Sequence, residues 1–203
     1  MNQSDLDRWN ARFGTADYVF GEAPNAFLAL RAAGLVPGRA LCIADGEGRN
    51  GVWLARQGWE VLSLDFSSVA QEKAAALAAR HGVALRLERG DVHDWSWPEA
   101  GFDLVADIFS QFSGPQERAR KWRGMCHALR PGGHLILEGY TPSQLRHRTG
   151  GPSQVENLYT PGLLRQAFAG LEILHLEERE EVLHEGAGHT GLSAVIGMVA
   201  RKP

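Results

Sequence analysis

The stretch Ala40-Leu-Cys-Ile-Ala-Asp-Gly-Glu-Gly-Arg-Asn-Gly51 constrains the fold of this chain more than any other. Five apolar residues run into an acid, Asp45, and glycines spaced Gly46-x-Gly48-x-x-Gly51 lead into helix-forming residues. An apolar run of that length reads as a buried strand. The glycines let the chain turn sharply and bring its backbone close to a ligand. The spacing alone also occurs in ordinary turns; its place between a strand and a helix makes it a nucleotide-type turn of an α/β sheet.

The flanking sequence keeps the same alternation. Arg49 to Gln57 reads as a helix, and Trp59 to Leu64 as a second strand ending at Asp65. Ser68 to Gln71 reads as a capping box opening an alanine-rich helix that stops near His81-Gly82. Val83 to Glu88 is a third strand; Phe102 to Ile108, almost continuously apolar, is a fourth of the kind covered on both faces. A helix over Gln116 to Leu129 and the turn Pro131-Gly132-Gly133 precede a fifth strand, His134 to Gly139. A helix near Pro161 to Ala169 is followed by two strands, about 171–183 and 192–200, whose short Gly-rich link makes them antiparallel neighbours.

Right-handed strand–helix units closed by such a pair give an α/β fold. It is a doubly wound, mostly parallel seven-stranded sheet, Rossmann-like, with an antiparallel C-terminal strand. Ahead of it, residues 1–35 read as a lid segment, helical at both ends around an irregular middle, Phe13 to Gly21. Pro24 falls in the first turn of the second helix and Gly34 at its stop. No repeat or linker divides residues 1–203, which are expected to form a single domain.

Composition narrows the class. A formal charge of −3 offers no basic face for nucleic acid. The polar, acidic start is not a secretory signal, and no apolar run reaches membrane-spanning length. Two cysteines, Cys42 and Cys126, sit in core segments without metal-type spacing and read as reduced fillers of a cytoplasmic protein.

The acids that end the strands specify the ligand. Asp65, 19 residues after Gly46, is placed to bind the two hydroxyls of a ribose, which NAD(P) and S-adenosylmethionine both carry. A cap for the helix that follows is the plainer reading of Asp65. Asp45, directly before the first glycine, would meet a dinucleotide's pyrophosphate with an unwelcome charge, whereas it suits the ammonium of a methionine tail. Asp91, followed by Val92 after the third strand, suits an adenine amino group. No tyrosine is followed four residues later by lysine, as a short-chain dehydrogenase would need. Methyl transfer is the reading these residues favour over an NAD(P)-dependent oxidoreductase.

The ordered set Asp45-Gly-Glu-Gly-Arg-Asn50, Asp65-Phe-Ser67, Gly90-Asp91-Val92 and Phe102 to Phe109 resembles class I S-adenosylmethionine-dependent methyltransferases. Among these it is most similar to the small enzymes grouped with tellurite-resistance and thiopurine-type methyltransferases. The resemblance extends to Tyr18 to Asn25, which looks like their aromatic N-terminal lid, and to Leu129 to Gly133. It implies that Gly46, Gly48, Arg49 and Asn50 surround the methionine end. Asp65, Phe66 and Ser67 would serve ribose and adenine, Asp91 and Val92 adenine, and Tyr18 the lid side. Asp107 would lie where methyl group and acceptor meet. One departure is Cys42, which stands where many class I enzymes carry an acid; its contact to the glycine turn would be absent or supplied by Asp45.

A methyl group on sulfonium needs alignment and exclusion of water more than activation. A soft acceptor atom then needs no base; an oxygen or nitrogen acceptor calls for one, with Asp107, His184 and His189 as candidates. His184-Glu-Gly-Ala-Gly-His189 is not a zinc motif, because its spacing is one residue too long and its glycines oppose a helix. The acceptor pocket is expected between Trp9 to Phe20, Tyr140 to Pro152 and the Leu183 to His189 turn, and its ligand to be a small molecule. A non-catalytic S-adenosylmethionine-binding module is the remaining alternative.

Overall fold

A computed structural model describes residues 3–203. Helices α1 (Gln3–Phe13) and α2 (Ala26–Ala32) precede β1 (Arg39–Ile43), α3 (Arg49–Arg56), β2 (Glu60–Asp65), α4 (Ser68–Arg80) and β3 (Arg86–Arg89). Then follow β4 (Phe102–Ile108), α5 (Pro115–Ala128), β5 (Leu129–Tyr140), α6 (Gln144–His147), α7 (Pro161–Ala167), β6 (Glu172–Glu185) and β7 (His189–Arg201).

The strands form one seven-stranded sheet in the order β3-β2-β1-β4-β5-β7-β6. β7 enters antiparallel between β5 and β6, and every other pairing is parallel. This is the doubly wound, mostly parallel seven-stranded sheet expected from the strand–helix alternation.

Period-two alternation divides the sheet's side chains between two layers. Leu41, Ile43, Leu64, Val105, Leu135 and Leu137 face Trp122, Met125 and Phe168. Ala40, Cys42, Leu104, Ala106 and Ile136 face Phe27, Leu28, Leu54 and Trp59. Each fully buried leucine contributes about 1.5–3 kcal/mol over an exposed one, which holds the strand ends, and the turns they carry, in fixed positions.

Local capping departs from the sequence expectation at two helices. Asn25, not Pro24, starts α2, its side-chain oxygen accepting from Leu28 N at 2.8 Å. Ser67, not Ser68, caps α4 by accepting from Ala70 N. Gln71 closes no box; its amide reaches Glu88 O at 2.5 Å and so ties α4 to β3.

Candidate active site

Chain direction across the sheet reverses between β1 and β4, the switch point at which ligands bind in doubly wound folds. A cleft opens there at the carboxyl edge. Ala44 to Gly46 form its floor with Arg49, Asn50 and Asp65, while Ile108 to Ser110 and Phe112 form one wall. Trp9, Phe13 and Phe20 of the lid roof it, and His189 closes it from the start of β7. Ala44 (φ 46°) and Phe109 (φ 53°) adopt the left-handed region at the ends of adjacent strands. Such strain costs about 1–3 kcal/mol per residue and persists where the surroundings enforce it, as at ligand sites.

The floor is built from carboxylates holding backbone. Asp65 accepts from Gly46 N at 2.9 Å and Ser67 N at 2.8 Å, joining the glycine turn to the start of α4. Burial raises its pKa to about 6 against these stabilising bonds. Asp45 accepts from Ser63 Oγ at 2.8 Å and Gly51 N at 3.3 Å. It therefore makes the contact to the turn that Cys42 lacks. Burial raises its pKa to about 7.

Arg49 is buried, with Nη2 on Glu185 at 2.6 Å and Nη1 enclosed without a hydrogen-bond partner. Asn50 accepts from Asn25 N at 2.9 Å. Glu185 also accepts from Asn25 Nδ2 at 2.9 Å, so lid, glycine turn and β6 meet in one polar knot. Glu138, held by Asn25 and Arg179, extends it; burial lifts its pKa to about 7.

The opposite side is aromatic. His189 lies between Phe20 (ring centroids 4.5 Å apart) and Phe109 (4.4 Å), both stacked on it. Its Nδ1 is 2.6 Å from Tyr140 Oη. Burial first, then the positive charges of Arg49 and Arg12, lowers its pKa to about 3, so the imidazole is neutral at physiological pH.

Several predicted site residues stand elsewhere. Asp107 is buried behind the cleft, paired with Lys121 at 3.2 Å and bonded to Ser110. It is not among the cleft-lining residues, so the structure does not bring Asp107 to the place expected for base or cofactor contact. His184 is exposed and lines an outer groove with Glu22 and Ala23. Tyr18 packs outside the roof, donating to Lys73 O at 2.9 Å under Arg80 and Lys73. Gly48 (φ 83°) serves helix packing: a Cβ there would lie 2.6 Å from that of Ala74. Ser67 is a cap and bonds Asn10 at 2.6 Å. Phe66, Asp91 and Val92 lie outside the cleft lining; Val92 is core, and Asp91 accepts from His93 N. Trp97 packs on α5 at Gly124, and Trp95 donates to Glu88.

The cleft lining also includes Trp9, Phe13, Phe20 and Phe109, which the sequence placed only within longer segments, and Phe112, which it did not single out. The aromatic content of the lid pointed to the segment, but not to which rings turn inward.

Residues 40–133 match a family model described as a methyltransferase domain. An uncharacterized protein of Mycobacterium tuberculosis is 27% identical over 120 residues, covering 59% of this chain; the chain spans less than half, 43%, of that relative's length. Among solved structures, one from work on conversion of a disulfide bond into a thioacetal group in echinomycin biosynthesis superposes with a TM-score of 0.77. It is 22% identical, with 97% of this chain and 91% of that one covered. TehB of Haemophilus influenzae gives 0.73 at 17% identity, covering 98% and 67%. The N-methyltransferase NodS of Bradyrhizobium japonicum, in complex with S-adenosyl-L-homocysteine, gives 0.72 at 15%, covering 98% of both chains. Residues 40–133 are thus similar to a methyltransferase domain, and the superpositions show that nearly the whole chain shares the fold of these structures.

Proposed function

We propose that the protein is an S-adenosylmethionine-dependent methyltransferase acting on a small-molecule acceptor. The observation that carries this is the roofed cleft: Trp9, Phe13 and Phe20 cover the glycine turn, and the unpaired Nη1 of Arg49 is buried among its lining residues. A buried donor without a partner costs about 1–3 kcal/mol, more when charged; a carboxylate such as that of the methionine tail relieves it. Asp45 suits the ammonium of the same tail, since a cation in the cleft draws its carboxyl back to the ionised form. Asp65 retains lone pairs for ribose hydroxyls beyond the two amides it accepts from.

The bound cofactor supplies a methyl group already activated on sulfonium. The protein's own part is to align and to keep water out, which the aromatic roof and wall do. With a pKa near 3 the His189 imidazole is a weak base, and Asp107 is paired with Lys121 outside the cleft lining.

In a thermal-shift comparison, S-adenosylhomocysteine is expected to stabilise the protein while NAD and NADP do not. Asp65→Ala is expected to weaken S-adenosylhomocysteine binding measured by calorimetry. Stabilisation by a dinucleotide alone would overturn the proposal.

A further inference from the structure

Among the described ion pairs, Arg12 of α1 has no carboxylate partner. Its guanidinium lies 5.3 Å from the ring centre of Trp9 and 5.1 Å from that of Phe20, two rings that line the cleft. It is exposed, and none of the described ion pairs includes it, whereas Arg8, one turn earlier, is paired with Asp5. It stands against the hairpin turn: a Cβ on Gly188 would lie 3.1 Å from its Nη2. Its charge reaches inward, acting on both Tyr140 and His189 alongside that of Arg49.

The other charges of the cleft are spoken for. Asp45 holds Ser63 and Gly51, Asp65 holds Gly46 and Ser67, and Glu47 beneath the lid is paired with Lys73. Arg49 is shared between Glu185 and the cofactor end. The acceptor side, Phe20, His189, Phe109 and Phe112, is uncharged and aromatic, with Arg12 as the ionic group at its rim.

Resting on the methyltransferase reading, we infer that the acceptor is a small aromatic or apolar anion, and that Arg12 is the residue selecting its charge. A guanidinium held over two ring faces attracts a negative group at the mouth and repels an ammonium. The lid thereby combines two tasks, an apolar surface for the acceptor's body and a positive rim for its charge.

The test is calorimetry on the S-adenosylhomocysteine complex with benzoate, benzamide and benzylamine as probes of matched size. Benzoate is expected to bind at least tenfold more tightly than benzamide, and benzylamine more weakly than both. Arg12→Gln should erase the preference for benzoate, Arg12→Lys should restore part of it, and neither should change S-adenosylhomocysteine affinity. Equal binding of the three probes, tighter binding of the amine, or a preference that survives Arg12→Gln would overturn the inference. Failure of S-adenosylhomocysteine itself to bind would instead overturn the methyltransferase proposal.

Discussion

Arg49 and Glu185, 136 residues apart in the chain, meet at 2.6 Å with both side chains almost wholly buried. Removing one partner leaves a buried charge uncompensated. Glu185→Ala is expected to lower stability by about 3–5 kcal/mol, read as a lower urea midpoint. Glu185→Gln keeps a hydrogen-bond acceptor for Asn25 and should lose less.

On the proposed function, Asp45 makes cofactor binding a proton-linked event. With a pKa near 7 it is partly protonated at neutral pH, and an ammonium beside it lowers that value. Binding of S-adenosylhomocysteine near pH 7 should therefore release protons, seen as a binding enthalpy that depends on the buffer's ionisation enthalpy. In Asp45→Asn that dependence should shrink markedly.

The same burial sets the sign of a stability effect. Asp45 is held above its unfolded pKa, so the folded state binds more protons than the unfolded one between about pH 4 and pH 7. Stability from this group falls as pH rises through that window. Asp45→Asn should gain stability relative to the parent by more at pH 8 than at pH 4, with a difference of more than about 1 kcal/mol, since one pKa unit corresponds to about 1.4 kcal/mol.

His189 shifts in the opposite direction. Its folded pKa, about 3, lies below the ordinary histidine value, so the folded state holds it neutral while the unfolded state charges below about pH 6.5. The stability it contributes is present above pH 6.5 and lost as pH falls toward 3. In NMR its ring signals should not titrate between pH 5 and 8. His189→Phe, which keeps the stack on Phe20 and Phe109, should unfold at lower pH than the parent.

Gly188 donates from its N to Val19 O at 2.9 Å, and a Cβ on it would run into the ring of Phe20. Gly188→Ala is expected to push Phe20 off His189 and to weaken S-adenosylhomocysteine binding. The global fold should persist because the β6–β7 ladder is unaffected. Unchanged affinity in this variant would mean that the roof does not depend on the hairpin.

Strand positions were legible wherever apolar continuity was strong. Phe102 to Ile108 is the fourth strand residue for residue, because a strand covered on both faces has little choice of composition. The antiparallel hairpin was legible from its glycine-rich link, although β6 runs to Glu185 and β7 begins at His189, carrying both strands closer to the cleft than expected. Helix starts were harder to read. Adjacent Ser67 and Ser68 are equivalent as residue types, and only the direction of the chain leaving Asp65 selects between them.

The fate of Asp107 was hidden for a different reason. An acid at the end of an apolar strand is exceptional, and its neutralising Lys121 comes from a helix whose rotation the sequence pattern leaves undetermined. His189 could be named but not its state, which follows from burial between Phe20 and Phe109 and from the guanidinium groups of Arg49 and Arg12, drawn from the lid, α3 and the end of β4.

The place of β7 between β5 and β6 carries a consequence for biosynthesis. The glycine turn is made in the first quarter of the chain, yet the groups that complete its surroundings, Glu185 and His189, emerge near the end. A nascent chain therefore exposes a half-site with a bare guanidinium and an unsupported roof until the last strand threads into the sheet. Chains stalled before the hairpin would retain the glycine turn without Glu185 and His189.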